Sequence, residues 1–400
     1  MGGNRSDRSR PKAKRNWFGL LPSLALTALL ASCSSDSGSR PAVPRLAAAE
    51  RALAQVRSNC APDLHLEVFN VGVQLLGARL VLTGEVDRAE ARLAALQALA
   101  QIGVSPVDGI VVLPTKDLGE RAEGLVSLSV GSGRIVPEHK SEMVTQFLMG
   151  ETLRVLKRSR NWYYVQGHDG YLAWLERGSL VRCTAGELEA WNNSPRLIVT
   201  ALEEMVLERP ETGAQPVSDV VICDLLQQTS EQGDWFGVRL PDGREGFLPK
   251  KAAADYTTWR QQRHAAPESL ESTARRFLGR PYLWGGVSPK GLDCSGFTRL
   301  VYYLNGIDLN RDASQQVRQG HEVPLDGNLA QLKRGDLLFF GRDPAWGGPQ
   351  RIFHVGLYLG DKRFIHSSER VQINSLDPNS PMRDELRIRT LIRARRILED

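Results

Sequence analysis

The sequence predicts a multidomain fold: a small N-terminal α+β unit, two small β-barrels, and a larger α+β domain at the C-terminal end. Three observations carry this. First, 400 residues are more than one ordinary hydrophobic core organises. Second, a strand–turn–strand pattern recurs. Trp162, Val165, Asp169 and Gly170 return as Trp235, Val238, Asp242 and Gly243, every one shifted by 73 residues. Third, the last third reads as helices followed by an antiparallel sheet, with a cysteine at a helix start and two histidines on one hairpin.

The formal charge of +5 does not point to nucleic acid. Residues 1–32 hold six basic residues (Arg5, Arg8, Arg10, Lys12, Lys14, Arg15) and one acid, Asp7. The remaining chain carries 45 basic and 45 acidic residues and is neutral, so no polyanion partner is expected. The basic segment precedes an apolar run, Trp17 to Leu30, too short to span a membrane comfortably. It ends in Leu30-Ala31-Ser32-Cys33, which resembles a bacterial lipobox. That resemblance implies a signal peptide over 1–32 and lipidation of Cys33. Ser34 follows the cysteine, so the expected location is the outer membrane, facing the periplasm. Residues 33–44, rich in Ser, Gly and Pro, read as a tether. Four cysteines remain: Cys60, Cys183, Cys223 and Cys294. They are widely spaced, and the pairing of the first three cannot be deduced. No CxxC or HExxH pattern supports a metal site, and no cofactor is expected.

Residues 45–117 read in the order αββαβ. The helix covers Leu46–Arg57; strands are expected at His65–Leu75 and Leu80–Val86. A helix capped by Asp87 runs through Gln101, and a strand follows at Gly109–Leu113. Leu82-Thr83-Gly84-Glu85-Val86 and the closing Val107–Val112 segment loosely resemble BON domains of bacterial envelope proteins. The repeat then predicts barrels over 118–188 and 189–255. Each copy has a β-run, an Asp-Gly turn and a second β-run, preceded by strand groups at Thr152–Lys157 and Val220–Thr229. These two units resemble bacterial SH3-like domains. Residues 256–400 form the last domain, entered through a charged helical linker around Tyr256–His264.

That domain holds the chemistry. Gly291-Leu292-Asp293-Cys294-Ser295-Gly296 is followed by Phe297, Leu300, Val301 and Leu304 at helical spacing, which puts Cys294 at a helix N-terminus. Unpaired N–H groups and the helix dipole favour thiolate there, so a depressed thiol pKa is expected. His354 lies on the strand Phe353–Leu359, and His366 on the return strand after the Gly360-Asp361 turn. Cross-strand pairing brings the two imidazoles together, with Gly356 leaving room beside them. One imidazole can take the thiol proton while the other orients it.

Tyr282-x-Trp284-Gly285-Gly286, Asp293-Cys294-Ser295-Gly296, Arg334-Gly335-Asp336-Leu337, His354-Val355-Gly356-Leu357-Tyr358 and Phe364-Ile365-His366 together resemble the NlpC family of papain-like cysteine peptidases. The resemblance implies Cys294 as nucleophile, His354 as base, His366 as third polar residue and Tyr282 beside the oxyanion. With two SH3-like units ahead, it is similar to a subgroup that cleaves γ-D-glutamyl–diamino-acid bonds in murein peptides with a free N-terminal L-alanine. Asp293 is the expected reader of the alanine ammonium, with Glu142 and Tyr171 from the first barrel. Ser295, Ser314 and Trp284 are expected to line the same pocket. For Glu142 and Tyr171 a solvated charge and a barrel aromatic remain open readings. Phe353 stands where the family commonly has a small polar residue, and the loop Gly341–Arg351 is longer than the family pattern implies. The expectation is a monomeric cysteine endopeptidase acting through an acyl-enzyme on L-Ala-γ-D-Glu-diaminopimelate peptides. A non-catalytic murein-binding scaffold, or amidase or acyltransferase chemistry on the same triad, is the alternative.

Overall fold

The computed structural model describes residues 42–77, 79–346 and 348–399. The basic leader, Cys33 and the tether up to residue 41 lie outside the described residues. The N-terminal unit follows the expected order: α1 (Ala42–Cys60), β1 (Phe69–Leu76), β2 (Arg79–Val86), α2 (Ala89–Gln101) and β3 (Val107–Val112). β1 and β2 pair antiparallel, and α2 is the crossover that lets β3 join β2 in parallel. Ala49, Leu53, Leu82, Ala95 and Leu99 form its core.

Two sequence expectations are corrected here. The first strand begins at Phe69, not His65, because the Asp63 side chain accepts from the His65 N–H and its carbonyl accepts from Leu66 and Glu67. These bonds fold 63–67 into a turn. Asp87 does not cap α2; Arg88 occupies the N-cap without a side-chain cap bond, and the buried Asp87 instead faces the Arg88 guanidinium, Oδ1 to Nε at 3.6 Å.

Seven strands follow: β4 (Glu123–Val126), β5 (Val130–Arg134), β6 (Met143–Leu148), β7 (Thr152–Ser159), β8 (Trp162–Gln166), β9 (Leu172–Glu176) and β10 (Leu180–Cys183). After α3 (Ala185–Asn193) come seven more: β11 (Arg196–Val199), β12 (Glu203–Leu207), β13 (Pro216–Val221), β14 (Leu225–Gln232), β15 (Trp235–Arg239), β16 (Glu245–Pro249) and β17 (Ala253–Asp255). Every strand of the second set starts 73 residues after its counterpart in the first, from Glu123 and Arg196 to Leu180 and Ala253. The first sheet is ordered β10-β4-β7-β8-β9-β5-β6, and the second repeats that order as β17-β11-β14-β15-β16-β12-β13. Even the Asp-Gly turns match: Asp169 accepts from the Tyr171 N–H, and Asp242 from the Arg244 N–H. The expected strand group Val220–Thr229 is in fact two strands, β13 and β14. They are separated at 222–224, where Cys223 takes φ +75°.

The C-terminal domain has helices α4 (Tyr256–Gln262), α5 (Pro267–Arg275), α6 (Cys294–Leu304), α7 (Ala313–Gln316) and α8 (Glu385–Thr390). A short hairpin, β18 (Val287–Ser288) and β19 (Gly291–Leu292), precedes α6. The main sheet is built from β20 (His321–Glu322), β21 (Leu337–Arg342), β22 (Arg351–Gly360), β23 (Arg363–Ser368), β24 (Arg370–Ser375) and β25 (Leu391–Arg396), in the order β20-β25-β21-β22-β23-β24. Phe297 and Val301 of α6 pack with Val355, Leu357 and Ile365 of the sheet. The same core reaches Leu148 of the first sheet and Ile198 and Val221 of the second, so one apolar cluster joins α6 to all three sheets.

The junction of the two repeated sheets is tight. The Leu225 N–H donates to the Met149 carbonyl, and Gly150 sits at φ +78° against the Leu225 carbonyl, where a Cβ would lie 2.5 Å away. Gly150→Ala is expected to cost about 1–3 kcal/mol, combining a left-handed backbone with a clash against main chain. The midpoint of urea unfolding measures it, and an unchanged midpoint would contradict the packing described.

Candidate active site

Asp293 is the N-cap of α6; its Oδ1 accepts from the Gly296 N–H at 2.7 Å. Gly296 is required because the Gly286 carbonyl lies 2.1 Å from where a Cβ would stand. Cys294 opens the helix and is 7 % exposed. Its thiol meets the backbone N–H groups of Val355 and Ser295.

Across from it, β22 and β23 align so that the His354 and His366 rings meet, Nε2 to Nδ1 at 2.7 Å. The glycine expected to make room does so. A Cβ on Gly356 would fall 3.2 Å from the His366 Cβ. The β21–β22 register shifts between Phe340 and Gly341, which leaves Phe353 unpaired beside His354. Such a bulge turns the strand locally and re-aims its side chains. Phe353 thereby projects into the cleft, 45 % exposed.

A further residue completes the row. Asn374 on β24 presents Oδ1 to His366 Nε2 at 2.9 Å, while its Nδ2 donates to the Met382 carbonyl. That second bond fixes the amide orientation, so His366 Nε2 must carry hydrogen. A neutral His366 then accepts at Nδ1 from His354 Nε2–H, and His354 keeps a lone pair on Nδ1. Burial, with the Arg387 cation and His366 adding, holds His354 well below the ordinary imidazole range. Burial likewise brings His366 down to about 4, partly opposed by its bond to Asn374. Both rings are therefore neutral at neutral pH, and the free His354 nitrogen can accept a proton. Arg387, 8 % exposed over the Phe340 ring, was also not anticipated. Nothing in the local pattern of α8 marks it, whereas the alternating strand 370–375 could have drawn attention to Asn374.

The thiol departs from expectation. Burial first, then the neighbouring Asp293 carboxylate, push Cys294 up to about 12; the Val355 N–H, Arg311 and the Ser295 N–H oppose them only in part. The expected depression by the helix N-terminus fails because burial of the thiol, and then the negative cap, outweigh the positive helix end. Cys294 rests as a thiol.

Asp293 also departs from its expected role. Arg311 forms a bidentate pair with it, Nη2–Oδ2 at 2.6 Å and Nη1–Oδ1 at 3.2 Å. The Gly285 N–H and the Ser295 hydroxyl add to the Gly296 cap. One buried carboxylate thus receives five of the chain's own donors, and it is already neutralised; it is not free to read an amine. Arg311 is 2 % exposed and donates onward to the Thr145 hydroxyl of β6 and to Ser295.

Other carboxylates line the cleft. A cleft of about 860 Å³ opens over Cys294 and brings together Tyr282, Trp284, Ser314, Glu142, Tyr171 and Asp312. Tyr282 is half-buried; burial, then Cys294, raise its hydroxyl pKa. Trp284 is 59 % exposed. Ser295 also lines the cleft, though its hydroxyl is held by Asp293 and Arg311. Asp312, missed in the sequence, caps α7 and accepts from the Tyr171 hydroxyl at 3.1 Å. Burial pushes its carboxyl up, and Arg311 only partly offsets this. Arg318, Arg351, Arg393 and Arg395 line the same cleft from α7's end and the sheet. Of these four arginines only Arg393 pairs with a cleft acid, Glu322.

Replacing Arg311 with Met strands the buried Asp293 charge. A loss of about 3–5 kcal/mol is expected, read from urea unfolding; a loss below about 1 kcal/mol would contradict the pair's structural weight. The unfolded chain protonates its imidazole near pH 6.5 and folded His366 near about 4, so the unfolded state holds the extra proton between them. Stability contributed by the neutral ring is complete above pH 6.5 and is lost as pH falls toward 4. Unfolding midpoints that stay flat across that window in wild type, or fall equally in His366→Asn, would contradict this.

Residues 279–390 match the NlpC/P60 family, and residues 134–180 match the bacterial dipeptidyl-peptidase Sh3 domain. A gamma-D-glutamyl-L-lysine dipeptidyl-peptidase of Bacillus cereus is 31 % identical over 235 residues, covering 57 % of this chain and 68 % of that protein. Dipeptidyl-peptidase 6 of Lysinibacillus sphaericus is 28 % identical over 258 residues, covering 62 % and 89 %. The crystal structure of an NlpC/P60 family protein from Bacillus cereus superposes with a TM-score of 0.58 at 26 % identity, covering 69 % of this chain and 100 % of that one. With a papain-like domain carrying cysteine and paired histidines, and an SH3-like domain ahead of it, the chain belongs to the NlpC/P60 family of cysteine peptidases.

Proposed function

We propose that this peptidase hydrolyses cell-wall peptides at the γ-D-glutamyl–diamino-acid bond, releasing a dipeptide with a free N-terminal L-alanine. The observation that carries the reading is the charge layout of the cleft. Carboxylates Asp312 and Glu142, with Tyr171, and the cations Arg318, Arg351 and Arg395 line one cleft over Cys294. A peptide with a terminal ammonium and carboxylates beyond the scissile bond matches both. The Bacillus cereus relative, a gamma-D-glutamyl-L-lysine dipeptidyl-peptidase, supports the glutamyl specificity by likeness.

In the proposed mechanism, His354 Nδ1 takes the Cys294 proton as sulfur attacks the γ-carbonyl, rather than a thiolate standing ready. Tyr282, which lines the cleft with Cys294, stabilises the oxyanion. The imidazolium returns the proton to the leaving amine, giving an acyl-enzyme on sulfur, and the neutral imidazole then activates water to release the dipeptide acid. His366 and Asn374 hold the tautomer throughout. Ser314 and Trp284 line the walls, and Asp312 replaces Asp293 as reader of the ammonium.

Other parts of the chain are assigned by the same reading. The second repeated sheet (189–255) is a second SH3-like unit, by its shared strand order with the matched first one (118–188). Residues 45–117 are a BON-like unit. Residues 256–400 are the peptidase domain, and a lipid on Cys33 anchors a monomer to the outer membrane, facing the periplasm.

Incubation with L-Ala-γ-D-Glu-meso-diaminopimelate is expected to release L-Ala-D-Glu, with Cys294→Ala inactive; release at equal rate by the variant would overturn the assignment. The free arginines predict faster cleavage of this peptide than of its L-lysine counterpart, by about tenfold in kcat/KM, since each well-made ion pair is worth on that order. Equal rates on the two peptides would remove the arginines from recognition.

A further inference from the structure

The N-terminal unit has no place in the chemistry described so far, yet its loop reaches the cleft. His65, in the turn between α1 and β1, lines the cleft with Tyr171 and Asp312. Its ring stacks on Tyr171 with centroids 5.4 Å apart and planes 13° apart. His65 Nδ1 lies 3.3 Å from the Tyr171 hydroxyl. That hydroxyl has one hydrogen, which goes to the Asp312 carboxylate, so its oxygen is left to accept from His65 Nδ1–H. A row His65→Tyr171→Asp312 results, with a residue of the N-terminal unit at its outer end.

The loop is held from two sides. The Leu172 N–H of the first sheet donates to the His65 carbonyl at 2.8 Å, and Gln166 Nε2 donates to the Leu66 carbonyl at 3.0 Å. The Leu66 side chain packs on the first sheet's core. On the other side, Gln315 Nε2 of α7 donates to Asp63 at 2.8 Å. Gln315 also accepts from the Asp312 N–H through its Oε1. The turn is thus tied to the same helix cap that presents the Asp312 carboxylate.

Taking the peptide-hydrolase reading of the cleft as its basis, we propose that the N-terminal unit closes the amine end of the substrate cleft through His65. His65 is a positioning and specificity residue. Its ring occupies the space a preceding residue or N-acyl group would need, and its bond to Tyr171 keeps the phenol hydrogen aimed at Asp312. The ligand class admitted is a peptide with an unsubstituted α-ammonium; peptides extended or capped at that amine are turned away.

The test uses the full chain and two peptides on the same preparation: L-Ala-γ-D-Glu-meso-diaminopimelate, and the same peptide with glycine added ahead of alanine. The ratio of their kcat/KM values does not depend on how much of a variant is folded. Wild type is expected to favour the free tripeptide strongly. His65→Ala should lower that ratio by about tenfold or more, through a higher KM for the free peptide and gained turnover of the extended one. His65→Asn, which keeps a donor but shortens the ring, should fall between. A ratio unchanged in His65→Ala, or a wild type that cleaves both peptides equally, overturns the wall. A wild type that cleaves neither overturns the functional reading beneath it, and the wall with it.

Discussion

The buried ion pair between Asp293 and Arg311 is the constraint on which the site depends. One carboxylate caps the helix that opens with Cys294, takes the Gly285 N–H from the preceding loop and is closed by a guanidinium that also holds Thr145 of the first sheet. Three segments distant in sequence are thereby tied to the residue before the thiol. A buried pair of this kind adds little net stability over an apolar replacement, but losing one partner is costly. Its value here is positional: it sets where the helix begins and how the first sheet sits against it. The Gln146 side chain, accepting from the Val287 N–H and the Ser288 hydroxyl, adds a second tie between the same sheet and the same loop.

The pair also sets the electrostatics. Burial, and then a cap that carries negative charge, outweigh the pull of the helix end and leave Cys294 protonated. The histidines are neutral for a related reason, since burial and the nearby Arg387 disfavour a second cation. A neutral thiol and a neutral imidazole can react only if proton transfer accompanies attack. That places weight on the tautomer, which is set two residues away by the Asn374 amide and ultimately by the Met382 carbonyl.

Much of this was legible in the residues. The Asp-Cys-Ser-Gly stretch before an amphipathic run placed the thiol at a helix start, and two histidines around a Gly-Asp turn placed the imidazoles side by side. The 73-residue repeat carried further than its four matched side chains, because all seven strand starts obey it. What escaped depends on contacts between segments far apart. Asp293 and Asp312 look alike in sequence; only the position of Arg311 shows which is neutralised and which is open. The bulge at Phe353 arises from pairing with β21 and leaves no local signal. His65 sits among apolar residues that resemble a strand, while the bonds to Asp63 make it a turn.

The central claim is that Cys294 carries the peptide's glutamyl group during turnover. Rapid mixing of the full chain with L-Ala-γ-D-Glu-meso-diaminopimelate, acid quench and mass analysis of the digested protein tests it directly. The account predicts an L-alanyl-γ-D-glutamyl adduct on the peptide containing Cys294, appearing within the first turnover and absent in His354→Ala. Product release with no adduct on that peptide, or an adduct on another residue, would contradict it.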